Sequence, residues 1–84
     1  MIYLGSMNKI KIYTTPTCAY CKMAKEYFKS KGFEYEEYNV ATDIAKQKEM
    51  IDKTGQFGVP VIDIDGKIVI GFDRPKINEL LNIK

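Results

Sequence analysis

A change of hydrophobic period around Pro16 limits the folds open to this chain more than any other feature. Ahead of it "NKIKIYTT" alternates, with Ile10 and Ile12 on one face and Lys9, Lys11 and Tyr13 on the other, so residues 9–14 read as a strand. Pro16 cannot continue a strand ladder and sets a turn. Beyond it Tyr20, Ala24, Tyr27, Phe28 and Lys31 recur at helical spacing, with the other lysines and Glu26 on the remaining faces. Gly32 stands where a helix end favours a left-handed residue. "FEYEEYNV" then alternates again, which predicts a second strand over residues 34–39. A strand, helix and strand of this size join by a right-handed crossover, so the first two strands are expected to be parallel.

Thr42 or Asp43 can cap a second helix ending at Gly55, with Ile44, Gln47, Lys48 and Ile51 as its expected inward stripe. In "VIDIDGKIVIGF" two apolar runs, residues 61–64 and 67–70, flank Asp65-Gly66, a strong hairpin signal, and the strand entered after Pro60 is expected to run parallel to the one that delivers Cys18. Asp73 caps a last helix, with Pro75 in its first turn and Ile77, Leu80 and Leu81 on one face. The order β-α-β-α-β-β-α predicts an α/β fold, a mixed four-stranded sheet covered by three helices. At 84 residues the chain is expected to hold one small domain, residues 7–84. "MIYLGSM" has the form of a vector-derived junction before a start at Met7, so residues 1–6 are expected to be an extension, vector-derived or disordered. The alternative for them is an extra edge strand built on Ile2, Tyr3 and Leu4.

The charge balance of 13 basic and 11 acidic residues, scattered along the chain, argues against nucleic acid or an anionic membrane as partner. The sequence has no apolar run long enough to span a bilayer and no basic start followed by an apolar stretch. A cytoplasmic protein is therefore expected, in a compartment that keeps thiols reduced. There a disulfide is more often catalytic than structural.

Cys18 and Cys21 fall between the first strand and the first helix, at the carboxyl edge where open α/β sheets gather ligands. A helix start offers unpaired N–H groups and partial positive charge, which favour a thiolate at Cys18. Cys21 lies a turn deeper. That asymmetry predicts the chemistry: Cys18 attacks a substrate disulfide, and Cys21 then attacks Cys18 to release the reduced substrate. A tetrahedral metal site would need four ligands, and the chain has two Cys and no His, so no metal is expected. A structural staple is weaker still, because so short a loop removes little chain entropy.

"KIYTTPTCAYC" before a helix, "GVP" about forty residues on, and "GFD" opening the last helix together resemble the glutaredoxins, from about Lys9 to the end. The resemblance implies a thioredoxin fold and a dithiol oxidoreductase that reduces protein disulfides or glutathione mixed disulfides. It makes Cys18 the nucleophile and Cys21 the resolving thiol, and places Tyr20 at the border of a glutathione groove. It gives Val59-Pro60 a cis bond whose valine backbone pairs with bound glutathione or peptide. By itself a Pro that begins a strand reads as trans, since about one X–Pro bond in twenty is cis. Phe72 and Asp73 correspond to the pair that receives the γ-glutamyl end of glutathione, and on its own Asp73 is a plain helix cap.

This sequence departs from the family pattern at four positions. Ala19 replaces the usual Pro between the cysteines, Thr15 a common Lys, Gly58 a common Thr, and Ile70 the first of a usual Gly pair. The last three weaken the case for tight glutathione binding, with Gln56 the candidate replacement partner for its carboxylate. Glutathione is thus the expected co-substrate, with no tightly bound cofactor. "GFDRPKINELL" is also similar to redoxins serving ribonucleotide reductase, some of which are recharged by a flavoprotein reductase. A third, minor option is an iron–sulfur or zinc carrier bridging a homodimer through Cys18. A monomer is expected otherwise.

Overall fold

The computed structural model describes residues 9–82, so the expectations for residues 1–6 lie outside the described residues. Its elements follow the order read from the sequence: β1 (Ile10–Thr14), α1 (Ala19–Ser30), β2 (Glu36–Asn39), α2 (Ile44–Thr54), β3 (Val61–Ile64), β4 (Lys67–Ile70) and α3 (Arg74–Leu81). The four strands form one mixed sheet in the order β2-β1-β3-β4. β1 is parallel to β2, with Ile12 opposite Glu37, and antiparallel to β3, with Tyr13 opposite Val61. β3 and β4 are an antiparallel hairpin closed by Asp65 and Gly66, both with positive φ, 52° and 90°. That backbone suits the right-handed twist of the flanking strands and explains Gly66.

Strand alternation sorts the apolar residues onto two faces. Ile10, Ile12, Ile62, Ile64 and Val69 pack with Ala24 and Phe28 of α1 and Ile77 and Leu81 of α3. Tyr13 and Val61 point the other way, onto Met50 of α2 and onto Val40. The second face also buries polar groups. Asp63, 6% exposed, accepts from the Lys53 ammonium at 2.8 Å and from the Gly66 N–H at 2.8 Å. The same ammonium reaches the Tyr13 hydroxyl at 2.9 Å, and that hydroxyl donates to Glu49. Burial opposes the Lys53 charge, yet its bonds to Asp63 and Tyr13 hold its pKa above the ordinary value.

Each helix start is capped by its own side chain. Asp43 accepts from the Lys46 N–H at 3.1 Å and Asp73 from the Lys76 N–H at 3.3 Å, which settles the choice between Thr42 and Asp43. α2 corrects the expected stripe. Ile44 is 62% exposed and Lys48 also faces solvent, while Met50 is fully buried with Ile51 beside it and Gln47 donates to the Val40 carbonyl. Ile44 is the first helical residue after Asp43, and the cap points it outward. α1 corrects a second expectation, since Tyr20 is 62% exposed and Cys21 takes the inward position a residue later.

Two substitutions in α2 test that rotation. Met50→Ala should cost about 2–5 kcal/mol of unfolding free energy, the range for emptying a core site. Ile44→Ala should stay within about 0.5 kcal/mol. Denaturant unfolding of the two variants reads both, and equal losses would contradict the placement of α2.

Candidate active site

The turn Thr15–Cys18 carries the chain from the end of β1 into α1, where Cys18 is the N-cap with extended backbone, φ −87° and ψ 113°. Its Sγ accepts the Cys21 N–H at 3.1 Å, as the Asp43 and Asp73 carboxylates do for their helices. The Cys18 N–H is tied back to the Thr15 carbonyl at 3.3 Å, which fixes the turn. The Cys18 sulfur thus occupies the positive end of the α1 dipole and takes one of the N–H groups the helix start leaves unpaired. The first turn of α1 holds no acidic residue to oppose it.

Cys21 differs in every respect. It is 1% exposed, whereas Cys18 is half-buried, and both are free thiols. Burial pushes the Cys21 thiol up to about 12, with the hydrogen bond to Cys18 adding to the effect, while Thr15 and Lys25 act in the opposite direction. One sulfur is presented at the surface and the other waits, protonated, a helical turn below it.

The rest of the expected site gathers around this pair. The Val59–Pro60 peptide bond is cis. Pro60 is buried directly before Val61, the partner of Tyr13, so the register sets it beside Thr14 at the end of β1. The expectation that the strand following Pro60 runs parallel to β1 is corrected here, because β3 is antiparallel. Only that direction brings the start of β3 to the end of β1. On the far side the Pro60 carbonyl accepts the Gly71 N–H at 2.8 Å, which draws Phe72 and Asp73 towards the same edge.

The groove residues take different positions. Tyr20 projects into solvent two residues beyond Cys18, and Val59 is half-buried against the Tyr13 and Met50 cluster. Gln56 is exposed and its side-chain amide covers Gly58, 3.5 Å from the point where a Cβ would stand. Phe72 is half-buried, packed against the core edge-on to Tyr27 at 5.7 Å. Asp73 is exposed, with one carboxylate oxygen engaged as the α3 cap.

Sequence reasoning passed over a polar bridge on the Cys21 side. Thr14, 1% exposed, donates from Oγ1 to Glu37 at 2.9 Å, and the Lys25 ammonium meets the same Glu37 oxygen at 2.8 Å. The signal was available: Lys25 is four residues beyond Cys21, and Glu37 shares the strand face of Tyr35.

The glutaredoxin family model matches residues 10–69. The chain belongs to the glutaredoxin family. It is 50% identical over 72 residues to an uncharacterised glutaredoxin-like 8.6 kDa protein in the rubredoxin operon of Clostridium pasteurianum, covering 86% of this chain and 96% of that one. To glutaredoxin 3 of Escherichia coli K12 it is 40% identical over 67 residues, 80% of this chain and 81% of the relative. The crystal structure of a buckwheat glutaredoxin–glutathione complex superposes with a TM-score of 0.71 at 25% identity, over 95% of this chain and 76% of that one. The sheet order and three helices are those of the thioredoxin-like fold shared by solved glutaredoxins. Glutaredoxins as a family point to thiol–disulfide exchange, and the cysteine pair has the geometry for it.

The raised Cys21 pKa makes stability pH-dependent. Its folded value of about 12 lies above the free-thiol value, so the native state keeps a proton that the unfolded chain releases. That contribution is complete below pH ~8.5 and is lost as pH rises towards the folded value. Reduced protein should therefore lose stability through this window by about 1.4 kcal/mol per pH unit more than Cys21→Ser does. Denaturant titrations at several alkaline pH values measure the difference, and parallel curves would refute the burial assignment.

Proposed function

We propose that this glutaredoxin-family protein reduces protein disulfides or glutathione mixed disulfides, with Cys18 as nucleophile and Cys21 as resolving thiol. The observation that carries the reading is the 3.1 Å bond from the Cys21 N–H to the Cys18 sulfur, joined to the burial of Cys21. The Cys18 thiolate attacks one sulfur of the substrate, the substrate S–S bond breaks, and the other half leaves as a thiolate that takes up a proton. Cys21 then loses its proton and attacks Cys18, the mixed disulfide breaks, and the second thiol leaves. Two thiols of the protein become one disulfide, and one substrate disulfide becomes two thiols. Both electrons come from the cysteines, so the exchange needs no resident cofactor.

Glutathione serves as co-substrate in this reading, regenerating the dithiol. The Val59 backbone beside the cis peptide bond offers it a strand-like partner, with Tyr20 at one border, Gln56 over the loop, and the Phe72 backbone and Asp73 carboxylate at the other end. The glutathione complex of the buckwheat relative supports this choice.

A second reading keeps the chemistry and changes the donor: an electron carrier recharged by a flavoprotein reductase. Thr15, Gly58 and Ile70 favour it, since they remove features expected of a tight glutathione site. The Clostridium relative named for a rubredoxin operon agrees with service in a dedicated electron-transfer chain.

One set of variants and one coupled assay test both readings. Cys18→Ser should abolish disulfide reduction, while Cys21→Ser keeps part of the turnover on a glutathione mixed disulfide, because free glutathione can replace the missing thiol. The reverse pattern would exchange the two roles. Consumption of NADPH with glutathione and glutathione reductase, compared with thioredoxin reductase alone, identifies the donor. Turnover with the flavoprotein only would select the second reading.

A further inference from the structure

The resolving step poses a problem that Cys18 does not solve. Once Cys18 is tied up in a mixed disulfide, Cys21 must shed its proton while 1% exposed. Desolvation disfavours that thiolate strongly. A buried anion needs a fixed positive charge nearby. Lys22 follows Cys21 directly but is solvent-exposed, whereas Lys25 lies one helical turn on, along the face that Cys21 and Phe28 bury. Its ammonium does not swing free. It is held 2.8 Å from Glu37 of β2, and Glu37 is in turn held by the buried Thr14 hydroxyl at the end of β1.

We propose that Lys25, aligned by Glu37 and Thr14, is the positioning residue for resolution: its charge stabilises the Cys21 thiolate that attacks the Cys18 mixed disulfide. The inference rests on the oxidoreductase reading above and assigns a role to residues outside the cysteine motif. The groups around Cys21 are Cys18 and Lys25 from α1 and the Thr15 backbone from the turn. Glu37 of β2 and Tyr35 ahead of it face Lys25. Arg74 of α3 is stacked on the Tyr27 ring at 4.8 Å, and Asp63 of β3 lies on the opposite face of the sheet, with Lys53.

The geometry makes the two partners act in opposite directions. Lys25 lowers the cost of the thiolate, while the Glu37 carboxylate orients Lys25 and offsets part of its charge. A bridge that merely tied α1 to β2 would weaken in the same sense whichever partner was removed. Opposite signs therefore identify the electrostatic role.

Single-turnover reaction with an aromatic disulfide that releases coloured thionitrobenzoate separates the steps. The first equivalent leaves when Cys18 attacks. The second leaves when Cys21 attacks Cys18 and closes the protein disulfide, so the protein gives up two protons and two electrons and the reagent departs as two thionitrobenzoate anions. At neutral pH Lys25→Met should slow the second release roughly fivefold and leave the first unchanged. Glu37→Gln, which keeps an oxygen acceptor to orient Lys25 and removes the opposing charge, should speed the second release, and Lys25→Arg should restore the rate. The pH midpoint of the second release should rise in Lys25→Met and fall in Glu37→Gln. A second release that slows in both variants, or changes in neither, would overturn the proposal. So would loss of the first release in Lys25→Met, which would place Lys25 in the framework of the site. Persistence of both releases in Cys18→Ser would instead overturn the assignment of the nucleophile.

Discussion

The antiparallel pairing of β1 with β3 is the constraint on which the site depends. β1 delivers Cys18 from its carboxyl end, and β3 must begin at that same end for Pro60 to stand beside Thr14. With β3 parallel to β1, Pro60 would open near Ile10, the length of a five-residue strand or about 15 Å away. β2, on the other side, is parallel to β1, so its end at Asn39 meets the same edge, where the Val40 N–H bonds the Thr14 carbonyl at 2.9 Å. Four strand ends thus converge through backbone hydrogen bonds alone. The reactive side chains need only occupy positions that the sheet has already fixed.

The two faces of the sheet carry different loads. On the α1 and α3 side Cys21 is 1% exposed, and that burial keeps its thiol protonated until it is needed. On the α2 side the sheet binds its helix through Tyr13, Lys53 and Asp63 as well as through Met50. A buried carboxylate such as Asp63 is tolerated because an ammonium and a backbone N–H both point at it. Breaking such a network by removing one partner leaves the other group desolvated, so this face resists rearrangement while the opposite face does chemistry.

Most of the fold could be read because local signals were strong and mutually consistent. The alternation of Ile10 and Ile12, the Asp65-Gly66 turn and the Asp73-Arg74-Pro75 helix start each have one reading, and each held. What could not be read was decided by tertiary contacts. In α2 the expected stripe of Ile44, Gln47, Lys48 and Ile51 competes with one through Gln47, Met50 and Ile51, and only packing on Tyr13 and Val61 chooses between them. The direction of β3 was hidden because a strand's sequence carries no arrow. The cysteine pair was legible from its place between a strand and a helix. The Lys25–Glu37 bridge was legible only in its separate halves, the helix face of Lys25 and the strand face of Glu37, since nothing local pairs residues twelve apart in sequence.

The capping role of Cys18 bears on how its chemistry can be isolated. Its sulfur does at α1 what the carboxylates of Asp43 and Asp73 do at α2 and α3, accepting an N–H three residues on that would otherwise lack a partner. A variant that removed the acceptor would lose helix stability and reactivity together, and neither could be assigned. Serine avoids the confusion. Its hydroxyl is among the preferred N-caps, where alanine costs about 1 kcal/mol, so Cys18→Ser keeps the cap and deletes only the nucleophile. The same reasoning explains why a cysteine is stable at this position at all. The helix needs an acceptor there and does not require that it be oxygen, so one backbone N–H both starts α1 and holds the Cys18 sulfur in the orientation from which it reacts.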